Sequence, residues 1–529
     1  MRSESSKTQS EKQKGAVRIS TNYGRLIATM AMGIATVPLQ IKWLGMEGFG
    51  LLSLVASSIG IGGMLQDVMR SSMVRELGDA WHRRENGKFH HSYAAAFHVS
   101  GYVTILTALV FTTIIFILPI LKIPSEWVAP AQLITACAGL STCVVVLLAP
   151  TINMLVVREH FFWHNLWTVA MRSSYLIATI IPFLILQVTD VPKGLILFGY
   201  IVLIVNVIST IALIVGFIVF DRRMLPTFRG STPESMKKVA GTFGWNSGVV
   251  GAMNLHERVA NFIMNYFFGL SGNAIFSLAI RLVSYIRMAA LGLTFGLDSV
   301  SVRLSTKEDH STLQAMFRHT TRMLGFVSFP AMVVVFFFAE PLLRMWVGRS
   351  IENPAETLPD AELLVKIMVI GLTCRAVSDG WMKLFYGAGH IRKYAPYVFA
   401  GGLFNPILSI ILILLLPNTI GFTGPAIAYS AVFLIVHIII MPKVSAKSVG
   451  LSLGKIIRPS VRPLSIAIAA SPALLLTNYF SDTQLINWAG VVGSVSCYAI
   501  VYATASWWLL LSKRERSGIQ RLVLQIAKR

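Results

Sequence analysis

Long apolar runs separated by short polar segments dominate this chain. Fourteen runs approach or exceed the roughly 20 apolar residues that a helix needs to cross a bilayer. They lie at 20–43, 48–69, 93–120, 128–156, 164–188, 194–219, 242–268, 273–302, 322–347, 362–386, 394–416, 421–442, 463–480 and 486–511. The tenth is unusually charged and the thirteenth is short. The pattern predicts an all-α polytopic membrane protein with about 14 transmembrane helices.

Composition agrees with that reading. Of the 529 residues, 54% are hydrophobic and 13% charged, and the mean hydropathy is +0.66. The net charge of +22 does not point to nucleic acid, because the basic residues collect in alternate loops. One set of segments holds Lys7, Arg18, Arg70, Arg83, Arg158, Arg222, Lys237, Arg303, Arg318, Arg392, Lys443, Lys455, Arg462 and Lys513, among others. The opposite loops hold only Lys42, Lys122, Lys193, Arg344 and Arg349. This asymmetry puts both termini in the cytoplasm and requires an even number of spans. The polar, basic opening stretch predicts no cleaved leader. Cys137, Cys143, Cys374 and Cys497 all fall in apolar runs, which suggests small core thiols.

Domain organisation follows from the longest cytoplasmic link, which contains Arg222, Arg223, Pro226 and Pro233. The expected order is a basic N-terminus (1–19), a six-helix lobe (20–221), a linker (222–241), a second six-helix lobe (242–445), two additional helices (446–511) and a basic tail (512–529). An internal repeat supports the division. A shift of 224 residues superposes Asn22 on Asn246, Gly24 on Gly248, Gly45 on Gly269, Gly48 on Gly272 and Ser53 on Ser277, without a gap. Six spans return the chain to its starting side, so the halves run in the same direction. Parallel repeats occur in transporters whose cargo binds between the halves.

Several charges lie inside the apolar runs: Arg25, Arg172, Arg258, Arg281 and Arg375. A charge at mid-bilayer costs at least about 2.5–3.5 kcal/mol on insertion scales, so it should face water or a partner. On the first span, Asn22, Arg25, Thr29, Thr36 and Gln40 fall within about 60° of one another at ~100° per residue. Thr168, Arg172, Tyr175 and Thr179 share a face of the fifth span. Asn254, Glu257, Arg258, Asn261 and Asn265 make the seventh span the most polar. The competing readings are snorkelling of Arg25 and Arg172 to the interface and a structural hydrogen-bond network on the seventh span. On the tenth, Arg375, Asp379 and Lys383 form an i, i+4, i+8 ladder in which Asp379 can neutralise its neighbours. Arginine suits a phosphate because its planar fork stays protonated and grips oxygens in pairs. The first span has no Asp or Glu, as an organic-cation site would require. The expected anion-binding set is therefore Arg25, Arg172, Arg258, Arg281 and Arg375 with Asn261. Glu257, Asp298 and Asp379 are candidates for H⁺ or Na⁺ coupling. His160 and His164 lack a third ligand, and no Walker loop, GxGxxG fingerprint or nucleophile elbow occurs. No metal, cofactor or catalytic residue is expected.

The stretches LGMEGFGLLSLVASSIGIGGMLQDVMRSSMVREL (44–77), FGLSGNAIFSLAIRLVSYIRMAALGLTFGLDSVSVRLS (268–305), FFFAEPLLRMWVG (336–348) and GFTGPAIAYSAVFLIVH (421–437) resemble the Wzx-like polysaccharide flippases, relatives of the multidrug-and-toxin extrusion carriers. The resemblance implies two six-helix lobes in a MATE-like V and alternating access by rocking. It also implies an undecaprenyl-diphosphate-linked oligosaccharide as cargo, moved from the cytoplasmic to the periplasmic leaflet of a bacterial inner membrane. The two extra spans resemble those of the peptidoglycan lipid-precursor flippases, where they contribute a groove for the lipid tail.

The leading expectation is thus a flippase for cell-surface polysaccharide biosynthesis, surrounded by membrane lipids and working beside a polymerase and glycosyltransferases. The alternative is a cation-coupled multidrug exporter of the same superfamily, against which the missing first-span carboxylate argues. An embedded glycosyltransferase or polymerase would need a substantial external loop, which the chain lacks. A non-transporting scaffold would tolerate reversal of charge at Arg25 or Arg258.

Overall fold

The computed structural model describes residues 2–82, 86–241, 244–294, 297, 301, 310–475, 488–513, 515–517 and 520. Among them there are helices and connecting turns but no strand. Among the described residues, ten helical stretches are long and apolar enough to cross a membrane. Two of these, Thr21–Arg70 and Gly248–Gly292, each bend at a glycine and supply two spans. The more polar helices Pro354–Gly387 and Leu453–Ala470 lie at the tenth and thirteenth expected spans. Large apolar side chains such as Ile105, Phe116, Ile208, Val219, Leu414 and Leu415 are exposed. That is the exterior a bilayer requires and water would penalise.

The two bends establish the repeat physically. Gly45 has φ 71° and ψ −179°, and Gly269, 224 positions later, has φ 69° and ψ −170°. A Cβ at either would meet no atom within 4 Å. The demand at these positions is therefore conformational, since only glycine takes this region without strain. Three residues on, the demand is steric. A Cβ at Gly48 would lie 2.5 Å from Leu44 Cβ, and one at Gly272 would lie 2.4 Å from Phe268 Cβ. Both glycines let the helix restart tightly after its bend. The two bends also touch one another. Asn273 Nδ2 donates to the Gly50 carbonyl at 2.9 Å, and Ser271 Oγ donates to Glu47 Oε1 at 3.4 Å. Ser271 and Glu47 are themselves one repeat apart.

Among the described residues, π turns occur at Ile181–Ile185, Leu255–Val259 and Ile435–Ile440. Pro182 and Pro442 lack the N–H that regular helix needs, which accounts for the first and last. The middle one contains Glu257 and Arg258 and has no proline.

Two helices begin earlier than hydropathy predicts. The ninth-span helix starts at His310 and the thirteenth at Leu453. Their opening turns carry Arg318 and Arg322, and Lys455, Arg458 and Arg462. Those charges suppress mean hydropathy without breaking the helix.

The chain packs as two compact units. The first comprises Met1–Ser277, Arg349–Asn353 and Val398–Pro425. Its cores gather Leu51, Leu54, Leu118, Ala178 and Leu195, and separately Tyr93, Phe97, Met154 and Met224. The 222–241 stretch belongs to this unit. Met224 is fully buried there, and Tyr93 donates to its carbonyl at 2.9 Å. Asp221 accepts from Arg158 at 2.9 Å and from Arg223 at 2.9 Å. The second unit comprises Leu278–Gly348, Pro354–Tyr397 and Ala426–Arg529. Phe329, Ala467, Tyr498 and Tyr502 lie in its core.

Candidate functional site

In the first unit the polar stripe of the first span lies against the fifth. Asn165 Nδ2 donates to Asn22 Oδ1 at 3.0 Å. Farther along, Gln40 Nε2 donates to Thr179 Oγ1 at 3.3 Å. Thr29 and Thr36 turn their hydroxyls onto their own helix, to the carbonyls of Leu26 and Met32. Arg25 sits one turn from Asn22 and is half-buried, whereas Arg172 is exposed. Arg70 and Arg172 both lie within Coulombic range of Arg25. Arg70 also contacts His164, with Nη2 to Nε2 at 3.2 Å. Neither Arg25 nor Arg172 forms an ion pair with a carboxylate among the described residues. Three guanidiniums from spans one, two and five thus share one neighbourhood. Like charges repel there, and an anion would relieve the repulsion.

Arg70 and His164 were not on the expected site. By its position just past the apolar run, Arg70 reads as a loop cation. His164 carried a legible signal, because 164, 168, 172, 175 and 179 fall on one helical face. The fifth-span polar face simply begins one turn earlier than expected.

The seventh span supplies a second set in the same unit. The π turn rotates the helix beyond it, so Asn254 and Asn261 do not share the face that regular ~100° steps imply. Asn254 bonds its own helix at the Val250 carbonyl, 3.0 Å away. Asn261 donates to Ser57 Oγ and accepts from Ser277 Oγ at 3.3 Å. His256 is buried and pairs through Nδ1 with Asn405 Nδ2 at 2.8 Å. Arg258 lies on Gly60 of the second span. A Cβ at Gly60 would come within 2.4 Å of Arg258 Nε and 3.0 Å of Cζ. Gly60 therefore makes room for a guanidinium, beyond the close helix packing that glycines usually permit. Arg258 Nε and both amide atoms of Asn265 are buried with no hydrogen-bond partner among the described residues. Glu257 is half-buried on the same turn.

The second unit treats its charges differently. Arg375 is only 2% exposed and stands over the Phe433 ring, 5.0 Å from its centroid. Its Nε is 3.9 Å from Asp379 Oδ1. Asp379 Oδ2 accepts from Arg287 Nε at 2.7 Å. One carboxylate thus serves two guanidiniums, and its stronger partner comes from the eighth span rather than from the i, i+4 ladder. Beside it, Ser378 bonds His437 within the π turn of the twelfth span. Arg281 is half-buried one turn before Tyr285. Asp298 lies outside the described residues.

Comparison with known proteins identifies the architecture. Residues 250–411 match the MatE family model. Over 95% of this chain and 97% of its own length, an uncharacterised membrane protein, EpsK, of Bacillus subtilis (strain 168) is 19% identical. An inward-facing multidrug resistance MATE family transporter of the MOP superfamily superposes with a TM-score of 0.67 at 14% identity, covering 80% of this chain and 94% of its own. The lipid II flippase MurJ in an inward closed conformation also superposes at 0.67, with 15% identity, covering 93% of this chain and 98% of its own. The chain thus carries a MatE-matching stretch at residues 250–411 and shares its fold with the MATE and MurJ structures.

Proposed function

We propose that this protein is a flippase that carries an undecaprenyl-diphosphate-linked oligosaccharide from the cytoplasmic to the periplasmic leaflet of a bacterial inner membrane, by alternating access, with both termini in the cytoplasm. The cluster of Arg25, Arg70 and Arg172 carries this reading. A diphosphate presents oxygens to several guanidinium forks at once, and each charge-assisted pair is shorter and stronger than a neutral one. Arg258 and Asn261 extend the polar surface of that unit toward a sugar. In the second unit, Arg375 and Asp379 are assigned to a brace with Arg287 and not to the cargo site, and Glu257 and Asp298 are the groups proposed for coupling to H⁺ or Na⁺. The coverage of this chain by the flippase fold, 93% against 80% for the multidrug transporter, supports a role for the two additional spans in handling a lipid. A polymerase and glycosyltransferases are the expected neighbours in the pathway.

Reconstitution tests the reading directly. Proteoliposomes should translocate a fluorescent undecaprenyl-diphosphate sugar and fail to accumulate a lipophilic cationic dye under an imposed H⁺ or Na⁺ gradient. Gradient-driven dye accumulation without lipid translocation would identify a multidrug exporter instead.

A further inference from the structure

A second cationic site lies in the second unit and shares no residue with the proposed cargo site. The opening turns of the ninth-span helix present Ala315, Arg318, His319 and Arg322 at i, i+3, i+4 and i+7, which is one face. The opening turns of the thirteenth present Lys455, Arg458, Pro459 and Arg462 at the same spacing. The two helices pack against each other. Their stripes, with Leu510 at the end of the fourteenth span, line a cavity of about 500 Å³. We propose that this cavity binds the phosphate of an anionic phospholipid from the adjoining leaflet.

Three observations point to a lipid phosphate. The first is charge. Among the described residues, Glu515 is the carboxylate that pairs with this set, and it engages Arg322 alone. Arg318, Lys455, Arg458 and Arg462 have no carboxylate partner there. A topology signal needs basic residues on one side of the membrane, but it does not need them to converge from two helices around a cavity. The second is depth. Trp508 ends the fourteenth span beside Leu510 and is 65% exposed, with Arg516 stacked 5.1 Å from its ring centroid. Exposed tryptophan beside a cation marks the headgroup level of a bilayer. The third is the apolar surround. Beyond the cationic turns, Gly325 packs on Phe329 and Pro463, and Phe329 and Ile466 share an apolar core. Leu510 lines the cavity itself, and its neighbour Leu509 is 66% exposed. A ligand seated here has phosphate-binding groups at one end and acyl-compatible surface at the other. A free inorganic anion would use only the first.

The site is independent of the proposed cargo, so either reading can fail alone. Native mass spectrometry of the full chain, released from phosphatidylcholine nanodiscs doped with phosphatidylglycerol, should show selective retention of phosphatidylglycerol. Each of Lys455→Ala, Arg458→Ala and Arg462→Ala should weaken retention roughly fivefold, as expected for a charge near an anionic surface. Arg458→Lys should largely preserve it. Glu515→Gln should strengthen it, by removing the competitor for Arg322. Because one variant is predicted to gain binding, misfolding cannot mimic the full pattern. Equal retention of phosphatidylglycerol and phosphatidylcholine, or retention indifferent to all these changes, would overturn the proposal. So would millimolar inorganic pyrophosphate displacing the lipid completely, since the acyl chains would then contribute nothing.

Discussion

The two units hold the same residue type in opposite electrostatic settings. In the first, Arg25 stands in the field of Arg70 and Arg172. In the second, Arg287 and Arg375 converge on Asp379. An arginine inside an apolar run is thus ambiguous until its neighbours are known. Guanidiniums gathered within one another's field are costly to assemble, and an anionic ligand would relieve that cost. A set closed on a shared carboxylate is a structural brace. Its removal should cost stability before it costs recognition.

Mutagenesis can break that contrast. The largest effect is expected from Asp379→Asn, which removes the carboxylate shared by Arg287 and the buried Arg375 and should destabilise the protein by about 3–5 kcal/mol. A fall in thermal midpoint of the detergent-solubilised protein checks this. The double variant Asp379→Leu with Arg287→Met should recover most of the loss, because replacing a buried pair with apolar groups is often neutral. In the first unit, Arg25→Ala should reduce lipid-linked substrate turnover by roughly 10–100-fold, from loss of a charge-assisted contact worth about 1.5–3 kcal/mol. Its thermal midpoint should hold or rise as repulsion is relieved. Equal loss of stability in Arg25→Ala and Asp379→Asn would erase the distinction.

Smaller effects sharpen the comparison between the repeats. Gly45→Ala and Gly269→Ala should each cost about 1–2 kcal/mol, since the strain is that of one residue in a glycine region. Thermal denaturation should show two nearly equal penalties. Gly60→Ala should leave backbone strain unchanged but displace Arg258, lowering turnover more than stability. The smallest effect concerns Asp221, whose carboxyl is held below the usual range by its hydrogen bonds to Arg223 and by the Arg158 charge, against partial desolvation. A depressed carboxylate contributes stability that is present above its unfolded pKa and lost as pH falls through the folded one. Limited proteolysis of the 222–241 stretch should therefore accelerate only below the ordinary carboxylate range. Asp221→Asn should abolish that acid response.

Much of the fold was legible in the sequence because bilayer physics is severe. Apolar length gave the spans, and the 224-residue register found Gly45 and Gly269 before their shared backbone geometry was seen. The site was legible in part. Arg25 and Arg172 stood out because a charge in a long apolar run is conspicuous. Arg70 did not, since it lies at a span end where basic residues are ordinary. Arg287 lies within the eighth apolar run, but its pairing with Asp379 is not legible there, because periodicity relates residues within a helix and says little about which helix faces it. The π turn at 255–259 shifted the phase of the seventh span, so a regular wheel misassigned the faces of Asn254 and Asn261. The early starts of the ninth and thirteenth helices were hidden by the arginines and lysine they carry.

The central claim is that the first unit's arginines hold the cargo phosphates. Equilibrium binding of undecaprenyl diphosphate to detergent-purified protein measures it most directly. The account predicts at least about a 100-fold loss of affinity in Arg25→Ala with Arg172→Ala, and little change in Arg287→Met with Asp379→Leu. Unchanged affinity in the first double variant, with the protein still monodisperse and folded, would contradict it.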